Sequence, residues 1–323
     1  MSMVAQSIGQ SKTMRDAFIE RLYDKMAQDE GIFFLAADFG SPALDRVRAD
    51  FTDRFINVGI AEQNLINIAT GLALEGCTVY AYAIAPFLTM RAYEQIRVNL
   101  SLFSELKQLN VNLIGVGAGL SYDVSGPTHH CVEDISIMRL LPNFHVLSPS
   151  DWKMAAMLAD YTTAHKRPKY LRFDGKPAQP LYDSTDAIDL EKGFCELAAG
   201  ERVCLVSTGF MTRRALRALE GVKDVNPGLI DMFMLKPVKD DALFDVLKRY
   251  DTVITIEEGF INNGGLDSLV ANVINARHCG IRVRKLGFND RYVFELGDRQ
   301  HLHALNGMDE DGIIREVRLC AQK

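Results

Sequence analysis

Between Met14 and Gln28 the apolar residues Phe18, Leu22 and Met26 fall four apart, with polar residues between them. That spacing predicts an amphipathic helix with one buried stripe. The continuous apolar run Ile32-Phe33-Phe34-Leu35-Ala36-Ala37 follows and has the length of a buried strand. Further strands are predicted at Thr78–Ile84, Val111–Val116, Val146–Leu147 and Tyr170–Phe173. Helices are predicted between them at Glu62–Glu75, Phe87–Phe103, Asp134–Leu140 and Trp152–His165. This alternation predicts an α/β fold: an open, mostly parallel sheet with helices on both faces.

The stretch Asp174–Asp189 breaks the rhythm. It carries Pro177, Pro180 and several small polar residues, and reads as a linker. A second series then begins, with strands at Val203–Ser207, Leu229–Met234, Thr252–Glu257 and Arg282–Leu286. Helices at Thr212–Leu219, Asp240–Arg249 and Gly265–Ala276 separate these strands. The pattern divides the chain into two α/β domains, about 1–180 and 190–323, with no internal repeat of solenoid period.

Composition narrows the classes of function. A chain of 323 residues, 48% hydrophobic and 24% charged, can bury real cores. Its net charge of −6, without a lysine- or arginine-rich block, leaves no electrostatic footprint for nucleic acid. Cys77, Cys131, Cys195, Cys204, Cys279 and Cys320 are scattered, with no C-x-x-C pair. They fit unpaired thiols in a reducing compartment better than a disulfide framework or a zinc site. The segment Met1–Lys12 is polar and lacks the apolar core of a signal peptide. No apolar run approaches the ~18 residues of a membrane span. A cytoplasmic location is expected.

Four segments carry candidate chemistry. In Arg54-Phe55-Ile56-Asn57-Val58-Gly59-Ile60-Ala61-Glu62-Gln63-Asn64 an apolar strand ends at a glycine, and Glu62 sits in the first helical turn beyond it. Alone, Glu62 need only complement the positive end of that helix. The run 85–97 opens a helix directly after a strand, and Phe87, Met90, Arg91 and Tyr93 can line adjacent parts of one face. The same spacing also suits ordinary core packing. Residues 117–130 form a glycine-rich loop ending in His129 and His130, at the carboxyl end of a predicted strand, where open α/β sheets place ligands. The two histidines could transfer protons near neutral pH, or simply occupy a surface turn. Consecutive His129, His130 and Cys131 lack the spacing to converge on a metal. Arg172, late in a strand, could clamp a phosphate or carboxylate, or close a structural ion pair.

The segments occur in a fixed order: G-I-A-E-Q, then P-F-L-x-x-R-A-Y-E-Q, then G-L-S-Y-x-x-S-G-P-T-H-H, then the strand arginine. In that order they resemble the transketolase family of thiamine diphosphate enzymes, which includes deoxyxylulose phosphate synthase. The resemblance covers nearly the whole chain, as a pyrimidine-binding domain followed by a transketolase carboxy-terminal domain. Family members bind the cofactor diphosphate and Mg²⁺ through a separate domain bearing G-D-G and, after a long gap, N-N. This sequence has no G-D-G, and Asn262-Asn263 lies too close to Glu258-Gly259 to mimic the pair. The resemblance therefore implies the carboxy-terminal subunit of a split transketolase. An amino-terminal partner would supply the diphosphate and Mg²⁺ site, most simply with two copies of each chain.

The resemblance also implies roles. Glu62 would hydrogen-bond N1′ of the cofactor's aminopyrimidine and share its proton, a task that needs a carboxylate. Phe87 matches the aromatic against which the pyrimidine packs, and Tyr93 a second aromatic wall. Met90 stands where the transketolase pattern has another aromatic. Arg91 looks like the arginine of the synthase branch's R-A-Y, displaced by one residue relative to Phe87. His129 matches the histidine that contacts substrate oxygens, with His130 as a second donor. Ser125 replaces the family's aspartate in a loop two residues longer, which alters the reading of the donor hydroxyl. Arg172 matches the arginine that grips a substrate phosphate. Asp38 and Ser41 resemble the D-L-A-x-S loop at the cofactor's edge. The activity implied is two-carbon ketol transfer between phosphorylated sugars. The alternatives are a synthase-like decarboxylating condensation of pyruvate with an aldose, and a non-catalytic scaffold or regulatory paralogue.

Overall fold

The computed structural model describes residues 10–277 and 280–322. The first half runs α1 (Met14–Gln28), β1 (Ile32–Ala36), α2 (Pro42–Asp50), β2 (Phe55–Asn57), α3 (Glu62–Leu74), β3 (Thr78–Ile84), α4 (Tyr93–Gln95), β4 (Asn110–Val116), α5 (Asp134–Arg139), β5 (His145–Leu147), α6 (Trp152–Ala164) and β6 (Lys169–Phe173). α1 begins where its cap dictates, with the Thr13 hydroxyl accepting the Asp16 backbone N–H at 3.0 Å. Such a cap contributes about 1 kcal/mol. The stripe Phe18, Leu22 and Met26 is buried, as its spacing requires. Phe18 packs between Tyr80 and Phe173, ring centroids 5.8 and 5.4 Å away. The helix expected over 87–103 is not regular, since π-helical turns at Phe87–Arg91 and Ile96–Leu102 flank α4. Widened turns of this kind concentrate at functional sites.

The second half runs β7 (Phe194–Ala198), β8 (Val203–Ser207), α7 (Phe210–Leu219), β9 (Gly228–Met232), β10 (Met234–Lys236), α8 (Asp240–Leu247), β11 (Thr252–Phe260), α9 (Leu266–Asn275), β12 (Arg282–Phe288), α10 (Arg299–Leu305) and α11 (Glu310–Ala321). Two mostly parallel sheets result, as the alternating pattern requires. A seven-stranded sheet has the order β10-β5-β6-β4-β3-β1-β2, and a five-stranded sheet the order β12-β11-β8-β9-β7. Among the described strands, only β10 on β5 and β7 on β9 pair antiparallel. Parallel strands covered on both faces are buried along their length, and all seven residues of β4 are buried, the amides of Asn110 and Asn112 donating to the carbonyls of Thr162 and Val79.

One expectation changes here. The single strand expected over Leu229–Met234 is two, because the chain leaves the second sheet after Met232 and β10 joins the first, with Met234 opposite Leu147. The cut expected between 180 and 190 therefore divides the sequence but not the sheets. Two apolar clusters also span both halves, one joining Leu158 to Leu205 and Met211, the other joining Leu113 to Leu235 and Leu266. Cys77, Cys131, Cys195, Cys204 and Cys320 are free thiols, while Cys279 and most of the polar segment Met1–Lys12 lie outside the described residues. Among the described residues no helix is long and apolar enough to cross a membrane.

Candidate active site

Parallel pairing of β1, β2, β3 and β4 brings the loops that follow them to one edge of the sheet. That edge is where such sheets bind ligands. The first two loops are tied together by one side chain. Asn57 Oδ1 accepts the backbone N–H of Asp38 at 3.1 Å and of Gly59 at 3.0 Å, while its Nδ2 donates to Asp38 Oδ1 at 3.0 Å. Asp38 holds the left-handed φ of 51° that this clamp imposes, and its carboxylate is exposed at the edge. Gly59, at φ 74°, makes the turn that delivers Glu62 to the start of α3.

Glu62 is only 2% exposed. Its Oε2 accepts from Arg91 Nη1 at 2.6 Å. The Arg91 guanidinium lies 4.8 Å from the centroid of the Phe87 ring, so it spans the gap between the carboxylate and the aromatic face. Phe87 in turn meets the His129 ring edge-on, with centroids 5.3 Å apart and planes at 70°. His129 Nδ1 is 3.0 Å from the Thr128 hydroxyl. Met90 is 40% exposed. A buried carboxylate, an aromatic wall and an imidazole from three separate loops thus converge. Such a set can exchange a proton with a planar nitrogenous ring held against the wall.

The loop carrying His129 is anchored at its base. Gly117 and Ala118 donate backbone N–H groups to Phe173 O, and Gly119 exchanges two backbone hydrogen bonds with Cys131. Gly119 is obligatory: at φ 57°, a Cβ there would come 2.1 Å from Glu258 Oε2. His130 is buried, with Nε2 3.4 Å from Asp123 O, and burial lowers its pKa against the opposing pull of that carbonyl and of Glu258. Ser125 is exposed at the loop's outer turn. Asp123 is not free to read a substrate hydroxyl. Its carboxylate accepts from Arg299 N at 2.7 Å, from Val124 N at 3.0 Å and from Lys176.

Behind the loop, the second half supplies a buried charge cluster. Arg299 Nε donates to Glu258 Oε1 at 2.7 Å, Nη2 to Glu258 Oε2, and Nη1 to Asp174 Oδ2 at 2.6 Å. His303 Nε2 lies 2.7 Å from Glu258 Oε1. Burial would raise the Glu258 pKa, but Arg299 and His303 outweigh it and hold the carboxyl well below its usual range.

Three expected site residues are committed elsewhere. Arg172 does not present its guanidinium to a ligand. It is 3% exposed, with Nε donating to Asp134 Oδ2 at 2.8 Å and Nη2 to the carbonyls of Glu258 and Cys131 at 3.2 and 3.3 Å. A charge inside a two-faced sheet needs a carboxylate, and Asp134 at the head of α5 provides it. Tyr93 donates its hydroxyl to Ile137 O at 2.8 Å and packs against the core. Ser41 donates its hydroxyl to Asp16 Oδ1 at 3.0 Å. Sequence reading also missed Asn57, Asp123, Asp134, Glu258 and Arg299. Asn57 alone carried a local signal, as a polar residue closing an apolar strand before a glycine. No group of three metal-ligating side chains converges among the described residues.

Comparison with known proteins identifies the family of both halves. Residues 10–176 match the family model of the transketolase pyrimidine-binding domain, and residues 195–313 that of the transketolase C-terminal domain. An apulose-4-phosphate transketolase subunit of Actinobacillus succinogenes is 33% identical over 82% of this chain and 84% of its own length. The 1-deoxy-D-xylulose-5-phosphate synthase of Aquifex aeolicus is 35% identical over 83% of this chain, which spans only 42% of that protein. A solved split gene transketolase, described as an inactive beta4 tetramer, superposes with a TM-score of 0.84 at 30% identity, covering 96% of this chain and 98% of that one.

Proposed function

The chain belongs to the transketolase family, and we propose that it is the subunit of a two-chain transketolase that bears the pyrimidine-binding half of the active site. The observation that carries this reading is the placement of Glu62, buried yet directed to the same edge as Phe87 and His129. The donor set fits thiamine diphosphate: a flat apolar face and a buried carboxylate suit an aminopyrimidine. Phe87 would support the ring and Glu62 would hold or return a proton at its N1′ nitrogen. When bound, the cofactor supplies the nucleophilic carbon for two-carbon transfer. His129 would donate to a substrate oxygen, with Ser125 on the exposed turn above it. Asp38, at the edge, would face the cofactor's rim. Arg172 takes no part in gripping a phosphate.

An amino-terminal subunit would bring the diphosphate and Mg²⁺ site, in an assembly of two copies of each chain acting on sugar phosphates. Support comes from the apulose-4-phosphate transketolase subunit, most of whose length this chain spans. Free thiols at Cys77, Cys131, Cys195, Cys204 and Cys320 fit a cytoplasmic location. Mixing the chain with an amino-terminal transketolase subunit from the same source, Mg²⁺ and thiamine diphosphate should yield ketol transfer, and the chain alone none. Turnover by the chain alone overturns the two-subunit reading. Turnover that requires pyruvate points to the synthase-like reaction, and assembly without turnover to a scaffold.

A further inference from the structure

We propose that a groove on α7, outside the Glu62 site, binds the phosphoryl group of a small phosphorylated metabolite. The groove encloses about 290 Å³ and is lined by Arg213, Arg214, Arg217 and Glu310, with Phe210 and Gln179 among its walls. Three guanidiniums therefore face one carboxylate, in a chain whose net charge is −6.

That carboxylate is already shared. Glu310 Oε2 accepts from Arg214 Nη1 at 2.8 Å, and its Oε1 lies 3.9 Å from Arg217 Nη1. Arg213 has no carboxylate within ion-pair distance among the described residues, and donates only to the Gln179 carbonyl. Burial lowers its pKa, Asp151 opposes that, and Arg217 adds to it by repulsion. Arg213 and Arg217 stand four apart on one helix, a like-charge spacing that disfavours the helix unless an anion offsets it.

Arg214 is 5% exposed, yet its Nε has no partner among the described residues. A smaller recess of about 40 Å³ shares Phe210, Arg213, Pro177 and Ala178 with the groove. It adds Lys12 and Lys176, which pair with Glu20 and Asp123, Asp174, which pairs with Arg299, and Trp152, whose indole N–H is buried and without a partner among the described residues. Orphaned donors and under-neutralised guanidiniums are what a phosphate dianion satisfies, because the arginine fork matches its oxygens. The groove's size, near the lower end of small-molecule pockets, suits a compact ligand rather than a polymer.

Trp152 is the chain's one tryptophan, so its fluorescence reports the recess directly. Inorganic phosphate and pyrophosphate are titrated into the full chain, with chloride at matched ionic strength as control. Equilibrium dialysis of labelled pyrophosphate gives a second readout that does not depend on the indole. Saturable binding at a Kd of about 1 mM or tighter is expected. It should weaken about tenfold or more in the R213M/R217M double variant and tighten in E310Q, which loses the competing carboxylate. Both variants are checked by circular dichroism for a native fold. Dialysis without saturable uptake, an equal response to chloride, or unchanged affinity in the double variant overturns the proposal. None of these results bears on the transketolase reading, which rests on the other site.

Discussion

Arg91 holds Glu62 and covers Phe87 at once: its Nη1 lies 2.6 Å from Glu62 Oε2 and its guanidinium carbon 4.8 Å from the Phe87 ring centroid. A planar cation thus makes the two contacts, a hydrogen bond to the carboxylate and a face on the aromatic, that the proposed aminopyrimidine would make in its place.

The ion pair itself is expected to be weak. The Arg91 side chain is 46% exposed, so solvent screens it despite the burial of its partner. A double-mutant cycle of Arg91→Met and Glu62→Gln, read by urea denaturation, should give a coupling of about 1 kcal/mol or less. A coupling several times larger would mean that Arg91 is locked onto Glu62 and cannot yield to a cofactor.

Glu62→Gln keeps the shape of the side chain and removes its capacity to hold a proton. In the assembled enzyme it should cut kcat by roughly 10²- to 10⁴-fold while subunit association, followed by analytical ultracentrifugation, stays intact. A rate near that of the parent would remove Glu62 from the chemistry.

Arg172→Met should behave as a core lesion. It leaves Asp134 charged and buried, with the Tyr170 hydroxyl still donating to it at 2.7 Å but no cation beside it. The unfolding free energy should fall by about 3–5 kcal/mol. Unaltered stability with a raised KM for a phosphorylated donor would instead restore Arg172 as a phosphate grip.

Two buried acids set a pH dependence. Burial pushes Asp231 up to about 6 although Ser150, Tyr182 and Thr212 donate hydroxyls to it, and pushes Glu257 up to about 7 against the N–H groups opening α9. A raised folded-state pKa means that the native chain binds the proton more tightly than the unfolded one. The resulting stability is complete below about pH 4 and is lost as pH rises through those two values, on the order of 3 kcal/mol for each group. Asp231→Asn should remove its share of that slope. Urea denaturation of parent and variant from about pH 4 to pH 8 checks this, and a parent-minus-variant difference that grows with pH contradicts it.

The alternating pattern was legible because parallel strands buried on both faces are mostly apolar, and Val111, Leu113–Val116 and Tyr170-Leu171 stand out even though Asn112 and Arg172 interrupt β4 and β6. β7 was not. It is an edge strand whose Phe194, Cys195 and Leu197 are buried around a half-exposed Glu196, too short a signal beside the linker. α2 hid behind Pro42, which reads as a turn but occupies its first helical turn. In the site, Glu62 and Phe87 could be singled out only because their segments, taken in order with the histidine loop, resemble those of the transketolase family. The partners of Arg172 could not, because Asp134 and Glu258 approach it only through tertiary folding. A sequence offers the arginine's charge but not what neutralises it.

The crossing of β10 into the first sheet has a consequence for how such a chain can be cut. A fragment ending in the linker would keep the Glu62 loop yet leave β5 with a bare row of amides and carbonyls on one side. Bare edges of that kind recruit other chains and aggregate. Three residues, Met234–Lys236, stand between the fragment and that fate. A cut in the linker therefore uncovers a sheet edge that the intact chain closes with its own second half.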